Sequence, residues 1–394
     1  MIPMATSGTP ASGQAVHNQG HRALRVLLIG NYEHDRQESM QRFADLLVRE
    51  LPQHGLEVRL VKPAAHLGRF KPAADGLGKW LGYVDKFALF PLALPTHLKW
   101  CDVVHVCDHS NAMYCHRTRS RPTVVTCHDF LAVRGALGED TDCPAGLAGR
   151  HLQRWILTGL RQAGKLAAVS TYTLADAQRL VGSGPRLGLV LNGLNQPFRP
   201  VAASEVTRRL APLLPELGER PYVLHVGSNL RRKNREAVVR VGALIKDRWP
   251  GDLVFAGQPL TAELRALAQQ LGLAGRIHEV VRPDDAQLEA LYAGAHAFLF
   301  PSRYEGFGWP IIEAQACACP VVCSDCGPFS EVAGDGAFIR DIADEAGMAE
   351  DLLVLTDPVH RSRLIMRGTA NLARFATARM IDEYVALYRE LAPW

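Results

Sequence analysis

Short, uninterrupted apolar runs punctuate the chain, and between many of them the apolar residues recur every three or four positions. In the first half the runs fall at 26–29, 58–61, 103–106, 123–126, 166–169 and 189–191. Each is continuous rather than alternating, which is how a strand covered on both faces of a parallel sheet reads. Between the first two, Met40, Phe43, Ala44, Leu47 and Leu51 mark one face of a helix. Strand, helix, strand, repeated, predicts a doubly wound α/β domain.

The pattern then restarts, with runs at 223–226, 254–256, 277–280, 297–300, 321–323 and 337–339. Between the two sets, residues 198–218 and their flank carry Pro197, Pro200, Pro212 and Pro215, which suits a linker. The expected division is a tail over 1–22, a first domain over 23–205, a second over 206–376 and a terminal helix over 377–394. In that helix Ile381, Tyr384, Val385, Tyr388 and Leu391 form an apolar face that could return to the first domain as a strap. Two doubly wound domains in tandem bring the carboxyl ends of two sheets to one crevice, where ligands bind.

Composition narrows the class without choosing the chemistry. The chain has 394 residues, too many for one ordinary core, with 47% hydrophobic and 21% charged residues, as in globular proteins. A net charge of +4 gives no argument for a nucleic-acid partner. No apolar run is long enough to span a bilayer, and the tail has no apolar stretch of the secretory kind. Nine cysteines without regular spacing point to a reducing cytoplasm rather than a disulfide framework. Cys317, Cys319, Cys323 and Cys326 crowd together but lack paired knuckle spacing, so no metal site is expected.

The richest chemistry lies at 300–313, Phe-Pro-Ser-Arg-Tyr-Glu-Gly-Phe-Gly-Trp-Pro-Ile-Ile-Glu. It leaves a strand, passes two glycines and enters a helix near Pro310, a residue tolerated in a first helical turn. Gly306 and Gly308 allow close approach of backbone N–H groups to a ligand. Glu305 and Glu313 are spaced so that one carboxylate can reach a sugar and the other a ribose, each accepting from two hydroxyls. Alone, such a pair would be two surface glutamates; the strand, glycines and helix around it give it meaning.

A second motif, His225-Val-Gly-Ser-Asn-Leu-Arg-Arg-Lys-Asn234, ends a strand in Gly227 and continues as a basic loop able to neutralise a diphosphate. In the first half, Thr126-Cys-His-Asp129 and Val106-Cys-Asp-His-Ser110 follow strands and put His128, Asp108 and His109 at carboxyl ends. Ser170 is placed to cap a helix starting near Thr173, and Asn192-Gly193 reads as a turn.

These motifs resemble the retaining glycosyltransferases of family 4 (glycosyl transferases group 1), which have the GT-B fold: two Rossmann-like domains facing a central cleft. The resemblance runs from about Arg25 to about Leu391. It implies a catalytic set of His128, Lys233 and Glu305, with donor contacts from Gly227, Arg232, Lys233, Glu305, Gly306, Phe307, Gly308 and Glu313. Glu305 would sit against the donor hexose, Glu313 on the ribose and Lys233 on the diphosphate. Many members carry Arg directly after the glycine where this chain has Ser228, so Arg232 or Arg231 would supply the second charge. Acceptor-side positions are Gly30, Ser39, Asp108 and His109, although the turn over 30–40 lacks the family's paired glycines.

The implied activity is transfer of a hexose, with mannose favoured, from a GDP- or UDP-linked donor to a glycan, lipid-linked or small-molecule acceptor. No cofactor or metal is implied. A nucleotide-sugar epimerase and an inactive binding scaffold are the competing readings. The stretch 79–90 mixes lysines with aromatics; it would touch a membrane surface, shape the acceptor pocket or simply pack as an amphipathic helix on the first sheet.

Overall fold

A computed structural model describes residues 22–35, 37–70 and 76–392. The expected tail lies outside them, apart from Arg22. Twelve strands form two parallel six-stranded sheets. The first holds β1 (Leu24–Ile29), β2 (Leu56–Val61), β3 (Val103–Val106), β4 (Thr123–Cys127), β5 (Lys165–Ala168) and β6 (Arg186–Leu189) in the order β2-β1-β3-β4-β5-β6. The second holds β7 (Tyr222–Gly227), β8 (Asp252–Gly257), β9 (Ile277–Val281), β10 (Ala297–Phe300), β11 (Val321–Ser324) and β12 (Ala337–Arg340) in the order β12-β11-β10-β7-β8-β9. Every apolar run overlaps a strand, and only the sixth is displaced, ending at Leu189 where the run begins. Strand β6 is at an edge and none of its residues is buried, so its hydrophobicity is a weak marker.

Helices cover both faces. Those of the first domain are α1 (Glu38–Glu50), α2 (Gly76–Val84), α3 (Phe90–Leu98), α4 (Leu131–Ala136), α5 (Leu147–Leu160) and α6 (Thr171–Val181). They are followed by α7 (Ala203–Leu210), α8 (Arg235–Ile245), α9 (Ala262–Gln270), α10 (Asp285–Gly294), α11 (Trp309–Ala316), α12 (Phe329–Ala333), α13 (Glu345–Val354), α14 (Pro358–Asn371) and α15 (Thr377–Leu391). One face of the first sheet packs Leu27, Ile29, Val104 and Val125 against α3, α5 and α6; the other packs Val26, Leu28, Val103 and Val124 against α1 and α15. With both faces dry, continuous apolar strands are what the arrangement requires.

The stretch over 198–218 is not an open linker. Helix α7 lies within it and packs on α10, and Leu210, Leu214 and Leu217 are buried. The expected division at 205/206 falls inside this helix, so the chain crosses between domains before Ala203. Helix α15 does return to the first domain. Tyr388 Oη lies 2.7 Å from His105 Nδ1, Tyr384 Oη lies 2.7 Å from Thr126 Oγ1, and His105 Nε2 closes the chain on Thr126 at 2.7 Å. Such a buried polar chain is tolerated because each member has a partner.

Candidate active site

Strand order puts the functional loops together. In the second sheet β10 pairs with β7, so the loops after these strands are neighbours although 72 residues apart in sequence. They are stitched by Arg303 N donating to Arg232 O at 2.7 Å, Arg232 Nη1 to Tyr304 O at 3.1 Å, and Asn234 Nδ2 to Pro301 O at 2.9 Å. Asn234 takes φ 52°, a left-handed conformation that asparagine tolerates, and it turns the loop into α8.

Three predicted side chains converge there. Lys233 Nζ lies 2.5 Å from Glu305 Oε1, and Arg232 Nη1 lies 2.7 Å from Glu305 Oε2. Burial pushes the Glu305 carboxyl up, but the two cations more than reverse this and hold it below the usual carboxylate range. Burial lowers Lys233 despite the attraction of Glu305. Arg231 goes elsewhere: it is 75% exposed and bridges to Asp142 of the first domain at 3.1 Å. Arg232, not Arg231, therefore accompanies Lys233.

Glu313, on α11, is equally buried but among the described residues has no cation in contact. Its carboxylate accepts from Tyr292 Oη at 3.0 Å, and burial raises its pKa to about 7. Arg42, Asp285 and Lys233 are near enough to act on its charge. Arg42 of α1 and Asp285 of α10 form a 2.8 Å bridge between the domains. A cavity of about 440 Å³ is lined by Gln196, Phe198, Arg199, Asp285 and Glu289, so it includes the Asp285 of this bridge but not Arg232, Lys233 or Glu305.

The glycine loop meets the first domain directly. A Cβ on Gly306 would lie 1.8 Å from His128 O, so no other residue fits without separating the domains. Gly306 O accepts from Ser170 Oγ at 2.9 Å and Thr173 Oγ1 at 3.1 Å. That carbonyl is thus taken by the first domain. Gly308, at φ 98°, is the residue before α11, and Phe307 packs its ring on Trp309 and Phe375. Ser170 caps α6 through Thr173 N at 3.1 Å, as its position suggested, and also serves this contact. Asn192-Gly193 joins in through Gly193 O, which accepts from Trp309 Nε1 at 3.1 Å.

On the first domain's side, His128 Nε2 donates to Cys107 O at 2.9 Å, which fixes the proton on Nε2. Burial lowers its pKa, and Nδ1 is a buried acceptor without a partner among the described residues. Asp108 accepts from Ser110 N at 2.9 Å and from Asn31 Nδ2 at 2.6 Å. Burial raises Asp108, yet its neighbours, His109 foremost, hold it far below the usual range. His109 Nδ1 is 3.1 Å from Asp108 but poorly aligned for a hydrogen bond. Burial lowers this imidazole, and Asp108 and Asp129 raise it by more.

Two acceptor-side positions are not part of this group. Gly30 N is spent on Val61 O at 2.9 Å, and Ser39 is an exposed residue in the first turn of α1. Asn31 is not singled out by the sequence, and its place two residues after the end of β1 is the available signal. Among the described residues no group of three His, Cys, Asp or Glu is placed to hold a metal ion, and the four late cysteines are buried and free.

Two facing Rossmann-like domains with this loop pair define a glycosyltransferase architecture. The model of glycosyl transferases group 1 matches residues 212–370, and that of glycosyltransferase family 4 matches residues 40–196. The chain belongs to this family. It is 32% identical over 183 residues to the O-antigen chain mannosyltransferase B of Escherichia coli, covering 45% of this chain and 48% of that one. It is 30% identical over 290 residues to a D-inositol 3-phosphate glycosyltransferase of Acidothermus cellulolyticus, covering 68% of this chain and 62% of that one. The matches thus span about half to two thirds of these relatives' length. Sucrose-phosphate synthase of Thermosynechococcus elongatus shares the fold, with a TM-score of 0.73 at 20% identity over 93% of this chain and 99% of that one.

Proposed function

We propose that the protein is a retaining, metal-independent glycosyltransferase that passes a hexose from a nucleoside-diphosphate sugar to a glycan, lipid-linked or small-molecule acceptor. Mannose is the first sugar to test, since one relative is a mannosyltransferase. The observation that carries the reading is the convergence of Lys233 and Arg232 on Glu305, opposite His128.

In this reading Glu305 stands as counter-ion to the two cations until a donor arrives. The diphosphate then takes Lys233 and Arg232, and Glu305 turns to the hexose hydroxyls. Glu313 accepts from the ribose. As the bond from C1 to the diphosphate breaks, its electron pair moves to the phosphate oxygen, where the two cations stabilise the growing charge. The acceptor oxygen bonds to C1 on the same face, and its proton passes to that phosphate oxygen. His128 Nδ1 can accept from a sugar hydroxyl.

The test is release of nucleoside diphosphate from GDP- and UDP-sugars with and without acceptor. Glu305→Ala should abolish release while the protein stays folded; full activity in that variant refutes the assignment. Release equally fast without acceptor and with no glycosylated product rejects transfer.

A further inference from the structure

The helical run over 76–98 presents two unlike sides. It consists of α2, a π-helical turn (Asp85–Leu89) and α3. The inner side is anchored. Asp85 is 1% exposed and accepts from Gly68 N at 2.9 Å, Leu67 N at 3.0 Å and Tyr32 Oη at 3.0 Å, while Phe90, Leu94 and Leu98 are buried against the first sheet. This side of the helix thus packs on the first sheet.

Its outer side is apolar as well. Trp80 is 63% exposed, Val84 40% and Leu92 71%, and Ala88 between them is also exposed. These four follow one another at intervals of four, so they form one row along the helix. A helix that ended its contacts at the sheet would carry charge there. Phe70, 71% exposed, precedes the row.

Beside the row lies a surface of one charge. Trp155 of α5 packs its ring 5.5 Å from Phe87 of the π turn and stacks on His116, so α5 and the loop after His116 border the helix. Segments 109–121 and 147–161 contain Arg117, Arg119, Arg121, Arg150, Arg154 and Arg161 and not one Asp or Glu. Among the described residues none of these arginines has a carboxylate partner, whereas most other arginines of the chain do.

We infer that this face docks the first domain on a bilayer surface bearing acidic lipid headgroups. The apolar row enters the headgroup boundary and the arginines that lack a carboxylate partner meet the lipid phosphates. A single-sign field without carboxylate partners is matched by an anionic surface, although Arg119, Arg121, Arg150 and Arg161 also donate to neighbouring amide or carbonyl oxygens, and a row of exposed Trp, Val, Ala and Leu needs an apolar layer beneath it. The inference stands apart from the chemistry proposed above, and it brings the domain carrying His109 and His128 to the membrane.

The experiment is sedimentation of the full chain with vesicles of phosphatidylcholine alone and of phosphatidylcholine mixed with phosphatidylglycerol. Binding is expected to the mixed vesicles only, and to fall with salt. The double variant Trp80→Ser/Leu92→Ser and the double variant Arg150→Glu/Arg154→Glu should each weaken partition about tenfold or more, with unchanged melting temperature. All four side chains are exposed, and the two variants remove different interactions, so misfolding of one leaves the other decisive. Equal binding by wild type and both variants, or no binding by wild type, overturns the inference. So does a stable dimer that the apolar variant converts to monomer, which would give the face to a second copy.

Discussion

Each domain joins two side chains across its topological switch point, but the two joints are of opposite character. In the first sheet the neighbours are β1 and β3, and Asn31 after one bonds Asp108 after the other at 2.6 Å. In the second the neighbours are β7 and β10, and Lys233 after one meets Glu305 after the other at 2.5 Å. The first joint is a hydrogen bond around a settled carboxylate, extended by Ser110, with the His109 ring 3.1 Å away. The second is an ion cluster whose cations can exchange one anion for another. A wall of the first kind holds a shape, while a wall of the second kind is prepared for a charged ligand and can exchange its own anion for it.

Removing the exchangeable cation should have the largest effect. Lys233→Ala is expected to lower the rate of nucleoside diphosphate release about 10²–10³-fold, the range seen when one group stabilising a developing anion is lost. Arg231→Ala, which removes only the bridge to Asp142, should change it less than about threefold. Steady-state rates for the two variants decide the matter. A similar loss in both would mean that the basic loop acts as a diffuse field and not through the Lys233–Arg232 pair.

The next prediction tests whether the two walls work as one. Gly306→Ala puts a Cβ 1.8 Å from His128 O and 2.6 Å from Asp129 Cβ, so the loops must part. Displacement of this order costs about 10²-fold in turnover, and overpacking costs roughly 1–3 kcal/mol of stability. The variant should still gain thermal stability from free nucleoside diphosphate, because Lys233 and Arg232 stay in the second domain. Unchanged turnover would show that the first domain's contact with the loop is incidental to catalysis.

The walls were unequally legible in the sequence. The apolar runs located eleven of the twelve strands because a sheet dry on both faces demands them, and they touched the exposed edge strand β6 only at Leu189. The motif at 300–313 and the basic loop were readable because strand, glycines and charges lie within a dozen residues of one another. What could not be read was the joining of Lys233 to Glu305, since that depends on β7 and β10 being neighbours. Asn31 was missed for the same reason: its partner is 77 residues away, and a lone Asn after a strand is a common turn residue. The proline-rich stretch before β7 hid α7, in which only Leu210 is fully buried and polar residues dominate. The carboxylate spacing gave Glu305 and Glu313 alike, and only their surroundings separate them: two cations around one, a tyrosine hydroxyl beside the other.

That difference in surroundings sets the smallest and most specific expectation. Burial holds Glu313 near pKa 7, above the 4.5 of the unfolded chain. Between these values the unfolded chain has released its proton and the folded protein has kept it. Stability contributed by this group therefore falls as pH rises from about 4.5 to about 7, by up to about 3 kcal/mol, and levels off above. Glu313→Gln, neutral throughout and still able to accept from Tyr292, should remove that part of the slope. Urea unfolding at pH 5 and pH 8 measures it: the variant should lose less stability across the interval than wild type. With ribose hydroxyls donating to the charged carboxylate, as proposed above, nucleoside diphosphate binding near pH 6 should release a proton in wild type and none at this position in the variant. Calorimetry in buffers of different ionisation enthalpy reads that proton. Parallel unfolding slopes for the two proteins would mean that Glu313 is already ionised when folded, and the contrast between the two glutamates would vanish.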